Sequence, residues 1–323
     1  MGNMTWNLVA DIGGTNARFA SVGPNGIGTP EVYPSAMGVT KALAEFLNLQ
    51  ETMPQSAALA FAGVTTPEQG SLTNAGQIIT RNEVAQLCQS NEIHFLNDFE
   101  AAAWSLATID PAYVKVLQGP DEIPTGNRLI IGPGTGLGVG SLIKNANGWT
   151  AVKGEGGHVA ISPNSAFEAK VFEAFVEHWP ETQLAQNGWR LEAEAFLCGS
   201  GLPYLYRAVA DVLGQEYGAK DARGVLELVA KGDPAAIEMA KIFRSHLGST
   251  TGDMAVTLLT KGGVFVTGGV AEKNPWLFDA EFLAAFNAGG RFDELRRSIP
   301  VYAYQHPMFG LIGAKNALAE LSN

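Results

Sequence analysis

Two glycine-rich turns, each set between short apolar runs, constrain this chain more than any other feature. The first lies in Leu8-Val-Ala-Asp-Ile-Gly-Gly-Thr-Asn-Ala-Arg-Phe-Ala20. The second lies in Leu129-Ile-Ile-Gly-Pro-Gly-Thr-Gly-Leu-Gly-Val-Gly-Ser-Leu-Ile143. Each reads as a strand, a Gly/Thr turn and a returning strand. Glycine lets a backbone approach an anion closely with its N–H groups turned outward. Neither turn is a Walker loop, because no Gly-Lys-Ser/Thr ending follows. A strand rather than a helix comes next, which also excludes the dinucleotide fingerprint. One such turn alone reads equally well as a tight β-turn. Two in one chain imply a duplicated α/β scaffold that grips a polyphosphate from both sides.

At 323 residues the chain favours two domains over one. Hydrophobic residues make up 46% and charged residues 16%, enough for packed cores and against disorder. The net charge of −11, with no stripe of Lys or Arg, argues against a nucleic-acid partner. An anionic nucleotide is still accessible through local backbone dipoles. The two cysteines, Cys88 and Cys198, form no CxxC pair, which fits a reduced cytoplasmic setting. Asp11 interrupts the first apolar run, so no signal peptide is expected there. Trp6 stands where an N-myristoylation motif needs Ser or Thr. No apolar run reaches membrane-spanning length, so no membrane partner is expected.

The pattern along the chain alternates strand pairs with helices. Residues 8–12 and 17–22 form the first hairpin, and a helix follows over about 39–49. Short buried strands are expected at 57–62 and 93–96, with a helix beginning at 99. Residues 109–127 read as a crossover, followed by the second hairpin at 129–143. Ser165 and Glu168 have the spacing of a capping box that opens a helix to about 179. Asp233-Pro234 supplies an N-cap and a first-turn proline for a helix of several turns. Residues 264–267 read as a buried strand ending at Gly268-Gly269, and a last helix spans about 310–321. Two α/β domains with a cleft between them follow from this pattern. Strand order does not.

Several side chains fall where chemistry is expected. Asn97-Asp98 sits at the carboxyl end of a strand, where ligands gather in open α/β sheets. A carboxylate there can take the proton of an attacking hydroxyl, or it can serve in the N-cap of the next helix; the roles are compatible. Asp11, just before the first turn, suits Mg²⁺ held through water, or an ordinary hydrogen-bonded turn. Glu155 and His158 share the loop Gly154-Glu-Gly-Gly-His158. A carboxylate and an imidazole suit a polyol, whose hydroxyls need acceptors and donors. A zinc site would need further ligands nearby.

Together these motifs resemble the bacterial ATP-dependent glucokinase family. The matching stretches are Ala10-Asp-Ile-Gly-Gly-Thr-Asn-Ala-Arg18, Leu96-Asn-Asp-Phe99, Gly132-Pro-Gly-Thr-Gly-Leu-Gly138 and Gly154–His158. They continue with Glu194 upstream of Cys198-Gly-Ser-Gly-Leu202, and Gly262-Gly-Val-Phe-Val-Thr-Gly-Gly269. The likeness is collinear over nearly the whole chain. It lacks the cysteine-rich zinc motif of the other large bacterial sugar-kinase group, so the resemblance is to the zinc-free group.

The resemblance implies an actin-like, ribonuclease-H-like fold of two α/β domains. The small domain would hold 1–108, joined by the C-terminal helix at 307–323, and the large one 109–306. It implies transfer of the γ-phosphoryl of ATP to the 6-hydroxyl of glucose, with Mg²⁺, in the glycolytic setting of the cytoplasm, by a homodimer. Asp98 would be the general base, and Asn97, Asp98, Glu155, His158 and Glu194 would bind the sugar. Ala10, Asp11, Ile12, Gly13, Gly14, Thr15, Gly134, Thr135 and Gly136 would hold the phosphates, and Gly268 and Gly269 would lie near the adenosine. Two departures stand out. The segment at 72–77 lacks the aromatic residue that relatives often carry, and Cys198 replaces a common Ser. The rival readings are a kinase of another hexose, a non-catalytic sugar sensor on the same fold, and a filament- or chaperone-type ATPase, which would have no need of Glu155, His158 and Glu194.

Overall fold

The computed structural model describes residues 5–72, 76–184 and 189–321. They form two compact units. The first comprises Met1–Ala112, Gly140–Lys153 and His306–Asn323; the second comprises Tyr113–Val139 and Gly154–Gln305. Among the described residues no helix is long and apolar enough to cross a membrane.

The sheet of the first unit is mixed. Asn7–Ile12 runs antiparallel to Asn16–Gly23, with Asp11 opposite Arg18, and parallel to Ala57–Phe61. Ala57–Phe61 in turn pairs in parallel with Ile93–Asn97. Gly26–Ile27 and Glu31–Pro34 both lie antiparallel to Asn16–Gly23. Every residue of Ala57–Phe61 is buried, as an unbroken apolar run covered on both faces requires. Leu8, Ala10, Ile12, Leu59 and Phe61 alternate into one core with the helices Val39–Asn48 and Arg81–Cys88. The helices Asp98–Ser105 and Phe309–Leu321 pack together and against Ala57–Phe61. Helix Arg81–Cys88 carries a capping box that the sequence reading overlooked, Thr80 with Glu83.

In the second unit Arg128–Pro133, Val264–Val266 and Val301–Tyr304 are parallel neighbours. Val114–Gln118 forms one edge of this sheet, antiparallel to Val301–Tyr304, and Leu137–Asn145 and Gly148–Val152 continue it beyond Arg128–Pro133. The edge strand Val114–Gln118 lies inside the stretch read as a crossover. Lys115 is exposed and interrupts its apolar residues, and the surrounding stretch is rich in Pro, Gly and acidic residues, so the strand is hard to see in the sequence. The helix opened by Asp233-Pro234 runs for 25 residues, Pro234–Leu258, and the Asp233 carboxylate accepts the Ala236 N–H at 2.8 Å. Gly248 and Gly252 let helix Ala280–Asn287 close on it. A Cβ at either glycine would stand 2.4 Å from a backbone oxygen, of Phe282 and Phe286 respectively.

Ser165 caps helix Ala166–His178 by accepting the Glu168 N–H at 3.1 Å. The reciprocal half of the expected capping box is displaced by one residue. Glu168 accepts the N–H of Asn164 at 2.6 Å rather than that of Ser165, and its Oε2 also meets His246 Nε2 at 3.0 Å.

Candidate active site

The first glycine turn is built as a closed loop with a bare crest. Gly13 N–H donates to Asn16 O at 2.9 Å, and Ser35 straps the turn through its N–H to Thr15 O and its hydroxyl to Gly13 O. Nothing lies within 4 Å of where a Cβ on Gly14 would stand. Gly14 and Thr15 are exposed, whereas the side chains of Ala10 and Ile12 are buried in the core. Asp11 pairs with Arg18 at 3.2 Å and lies under the start of helix Phe309–Leu321. A Cβ on Gly310 would come within 2.7 Å of its carboxyl carbon. Burial raises the Asp11 carboxyl above the usual carboxylate range, and the Arg18 charge and hydrogen bond oppose that rise.

Asn97 and Asp98 occupy the junction between Ile93–Asn97 and helix Asp98–Ser105. The Asn97 side chain accepts the Glu100 N–H as the N-cap, so the capping reading holds for it. The Asp98 Oδ1 accepts the Phe99 N–H at 2.9 Å, and the residue is half-buried. Three contacts hold this helix in place. Gly313 lets the last helix approach so closely that a Cβ would stand 1.8 Å from Ala101 O. Gly140 does the same at Phe99 O, at 2.2 Å. Asn316, buried, donates to Trp104 O at 2.9 Å. Glu100, also buried, pairs with Lys153 at 3.3 Å; burial pushes its carboxyl up and Lys153 opposes this.

The second glycine turn belongs to the second unit. Gly134 N–H donates to Gly136 O at 2.8 Å, and Gly199 N–H donates to Gly134 O at 2.8 Å. Ser200 Oγ donates to Thr135 O at 2.9 Å. Gly268, at a φ of +95°, sits so close to this turn that a Cβ would meet Pro133 O at 2.8 Å. The three separate glycine segments at 134–136, 199–201 and 268–269 are thus brought together, with Thr135 and Gly269 exposed. Gly199 and Ser200 are site candidates that the sequence reading passed over. The Ser-Gly inside Cys198–Leu202 was their signal. Cys198 itself is buried and burial pushes its thiol up to about 11, so it packs and does not react.

Glu194 reaches this turn directly. Its Oε2 accepts the N–H of Leu137 at 2.9 Å, and a Cβ on Gly136 would stand 2.6 Å from it. The loop carrying Glu155 and His158 lies against the strand Leu137–Asn145. A Cβ on Gly157 would meet Leu137 O at 2.1 Å, and one on Gly156 would meet Val139 at 2.9 Å. The two glycines there are a packing necessity. His158 Nδ1 is bonded to Glu192, and its Nε2 is 3.9 Å from Glu155. One atom each of His158, Glu192 and Glu194 lie within 4.8 Å of one another. The hydrogen bond to Glu192 raises the His158 ring above the ordinary imidazole range; burial opposes this, and Glu194, Glu192 and Glu155 reinforce it. Glu192 was not foreseen. The segment at 72–77, which lacks the expected aromatic residue, falls in part on 73–75, outside the described residues.

A family model described as Glucokinase matches residues 8–321. The chain belongs to the glucokinase family. A glucokinase of Sinorhizobium fredii (strain NBRC 101917 / NGR234) is 36% identical over 313 residues, covering 95% of this chain and 90% of that protein. The crystal structure of a glucokinase from an Antarctic psychrotroph superposes with a TM-score of 0.85 at 28% identity, covering 98% of this chain and 99% of that one. A glucokinase from Balamuthia mandrillaris in complex with glucose shares the fold, with a TM-score of 0.78 at 22% identity over 99% and 94% of the two chains. The fold is the actin-like α/β ATPase fold of glucokinases that the motifs implied.

Proposed function

We propose that this member of the glucokinase family transfers the γ-phosphoryl of ATP to the 6-hydroxyl of glucose. The observation that carries the reading is the bond from Leu137 N–H to Glu194. It sets a carboxylate suited to a sugar hydroxyl directly against a turn suited to phosphate, as a reaction between the two substrates requires. Phosphoryl transfer asks a protein mainly for positioning and charge stabilisation. The turns at 13–15 and 134–136 hold the phosphates with backbone N–H groups, and Gly268 and Gly269 lie near the adenosine. Glu155, His158, Glu194 and Asn97 orient the sugar. Asp98, whose place at a helix N-terminus favours a negative charge, accepts the proton of the 6-hydroxyl.

Mg²⁺ fits the donor set at Asp11. This ion takes one or two carboxylates and otherwise keeps phosphate oxygens and water. Asp11 offers one carboxylate whose burial is only partly offset by Arg18, so a nearby cation would relieve it. Asp11 would hold the ion through water; when bound, Mg²⁺ neutralises charge on the β- and γ-phosphate oxygens. A homodimer and a glycolytic, cytoplasmic role complete the proposal, resting on the family.

The test is a hexose panel with ATP and Mg²⁺, read by ADP release. Release that depends on glucose supports the reading. Release at the same rate without sugar, or tight glucose binding with no release, overturns it.

A further inference from the structure

We propose that Glu192 is a positioning residue of the sugar site: its carboxylate accepts the Nδ1–H of His158, orients the ring and leaves Nε2 to the sugar. This rests on the reading of the site as a glucose site.

Four observations converge on Glu192. It is bonded to His158 Nδ1. Its backbone is clamped: Ala160–Ile161 pairs antiparallel with Leu191–Glu192, Glu192 lies opposite Ala160, and Ala193 N–H donates to Val159 O at 2.8 Å. The backbone on the other side of the contact is equally fixed, because Gly157 is pressed on Leu137 and His158 N–H donates to Glu155 O at 3.1 Å. What remains free is the rotation of the imidazole, and the Glu192 bond removes it. Finally, the Glu192 side chain is 23% exposed, against 48% for His158 and 72% for Glu155. The supporting carboxylate is the covered one and the two ligand candidates are open.

The chemistry follows from the order of contacts. In a histidine, the bond made by one ring nitrogen sets the role of the other. Here the charged groups facing the ring are all carboxylates, Glu155, Glu192 and Glu194. Glu194 accepts the Leu137 N–H with one of its two oxygens, and Glu192 holds Nδ1. Nε2 and the Glu155 carboxylate are left as a donor and an acceptor side by side. Adjacent hydroxyls of a pyranose, each able to donate and accept, match that pair. Glu192 sits where the strand turns into helix Ala193–Phe196, so the run Glu192-Ala-Glu194 delivers one carboxylate to the histidine and the next to the phosphate turn.

Wild type, Glu192→Gln and Glu192→Ala would be compared by ADP release, with glucose and ATP varied separately. The His158 ring would be followed by long-range proton–nitrogen NMR, assigned by the signal lost in His158→Gln. The expected result for Glu192→Ala is a rise of about tenfold in KM for glucose, the scale of a lost bond to a charged group, with KM for ATP held within about twofold. The His158 ring nitrogens shift as their protonation changes, and Glu192→Gln, which keeps an acceptor, recovers part of the glucose affinity. Three results overturn the proposal: an unchanged KM for glucose, equal rises for both substrates, or ring nitrogens unmoved in both variants. If Glu192→Ala does not fold, Glu192→Gln decides, and unmoved ring nitrogens there are sufficient to reject. A wild type that releases no ADP with glucose would sink the glucose reading instead, while the NMR signal still reports on the Glu192–His158 bond.

Discussion

Leu137 donates its backbone N–H to the carboxylate of Glu194 at 2.9 Å, and this contact ties a sugar-ligand candidate to the second glycine turn. Gly136, one residue earlier, has no room for a Cβ beside that carboxylate. The turn and the carboxylate therefore depend on each other for their shape.

Glu194→Ala is accordingly expected to weaken both substrates, raising KM for glucose and for ATP about tenfold each, because a charged hydrogen bond to the turn is lost along with the sugar contact. Glu155→Gln, on a largely exposed side chain beside His158, is expected to raise KM for glucose alone. Steady-state kinetics with each substrate varied separates the two. Selective loss of glucose affinity in Glu194→Ala would show that the Leu137 bond is idle.

Asp98→Ala is expected to lower kcat at least ~10²-fold, the low end for loss of a general base. Glucose should still bind, measured by calorimetry without nucleotide. Near-normal turnover would remove Asp98 from the proton transfer.

Gly313→Ala forces a methyl group into Ala101 O at the crossing of helices Asp98–Ser105 and Phe309–Leu321. Overpacking of this kind costs about 1–3 kcal/mol. The variant should melt below wild type and lose turnover, since the displaced helix carries Asp98. Unaltered melting would mean that the two helices separate without cost.

Glu168 offers a pH test of stability. Burial pushes its carboxyl up, but hydrogen bonds from His246 and the Asn164 N–H outweigh this and hold it below its ordinary value of 4.5. A carboxyl depressed by folding adds stability above the unfolded pKa and loses it as pH falls through the folded one. The melting difference between wild type and Glu168→Gln should therefore be constant near neutrality and shrink as pH falls below the ordinary carboxyl value of 4.5. A difference that grows with acid would reverse the sign assigned to this pair.

How far the site could be read from sequence differs residue by residue. Asn97 was legible as a cap because capping is local: its oxygen needs only the N–H three residues on. Gly13 and Gly14 were legible because the turn closes between near neighbours, Gly13 N–H to Asn16 O. Glu168 was half legible. Its cap bond to Ser165 is local, while its link to His246 spans 78 residues. The edge strand Val114–Gln118 escaped because it is only five residues long and lies in a stretch whose Pro, Gly and acidic residues read as a connection.

By itself the sequence determined the α/β alternation, both glycine turns, the helix starts at Asn97, Ser165 and Asp233, and the family. All of these rest on near neighbours or on ordered motifs. Only the tertiary structure decided that Glu192 bonds to His158, that Glu194 bonds to Leu137, and that Gly134, Gly199 and Gly268 share one corner. Those partners lie far apart along the chain, and their contacts come from sheet register and from close backbone approach at glycine, which no local pattern encodes.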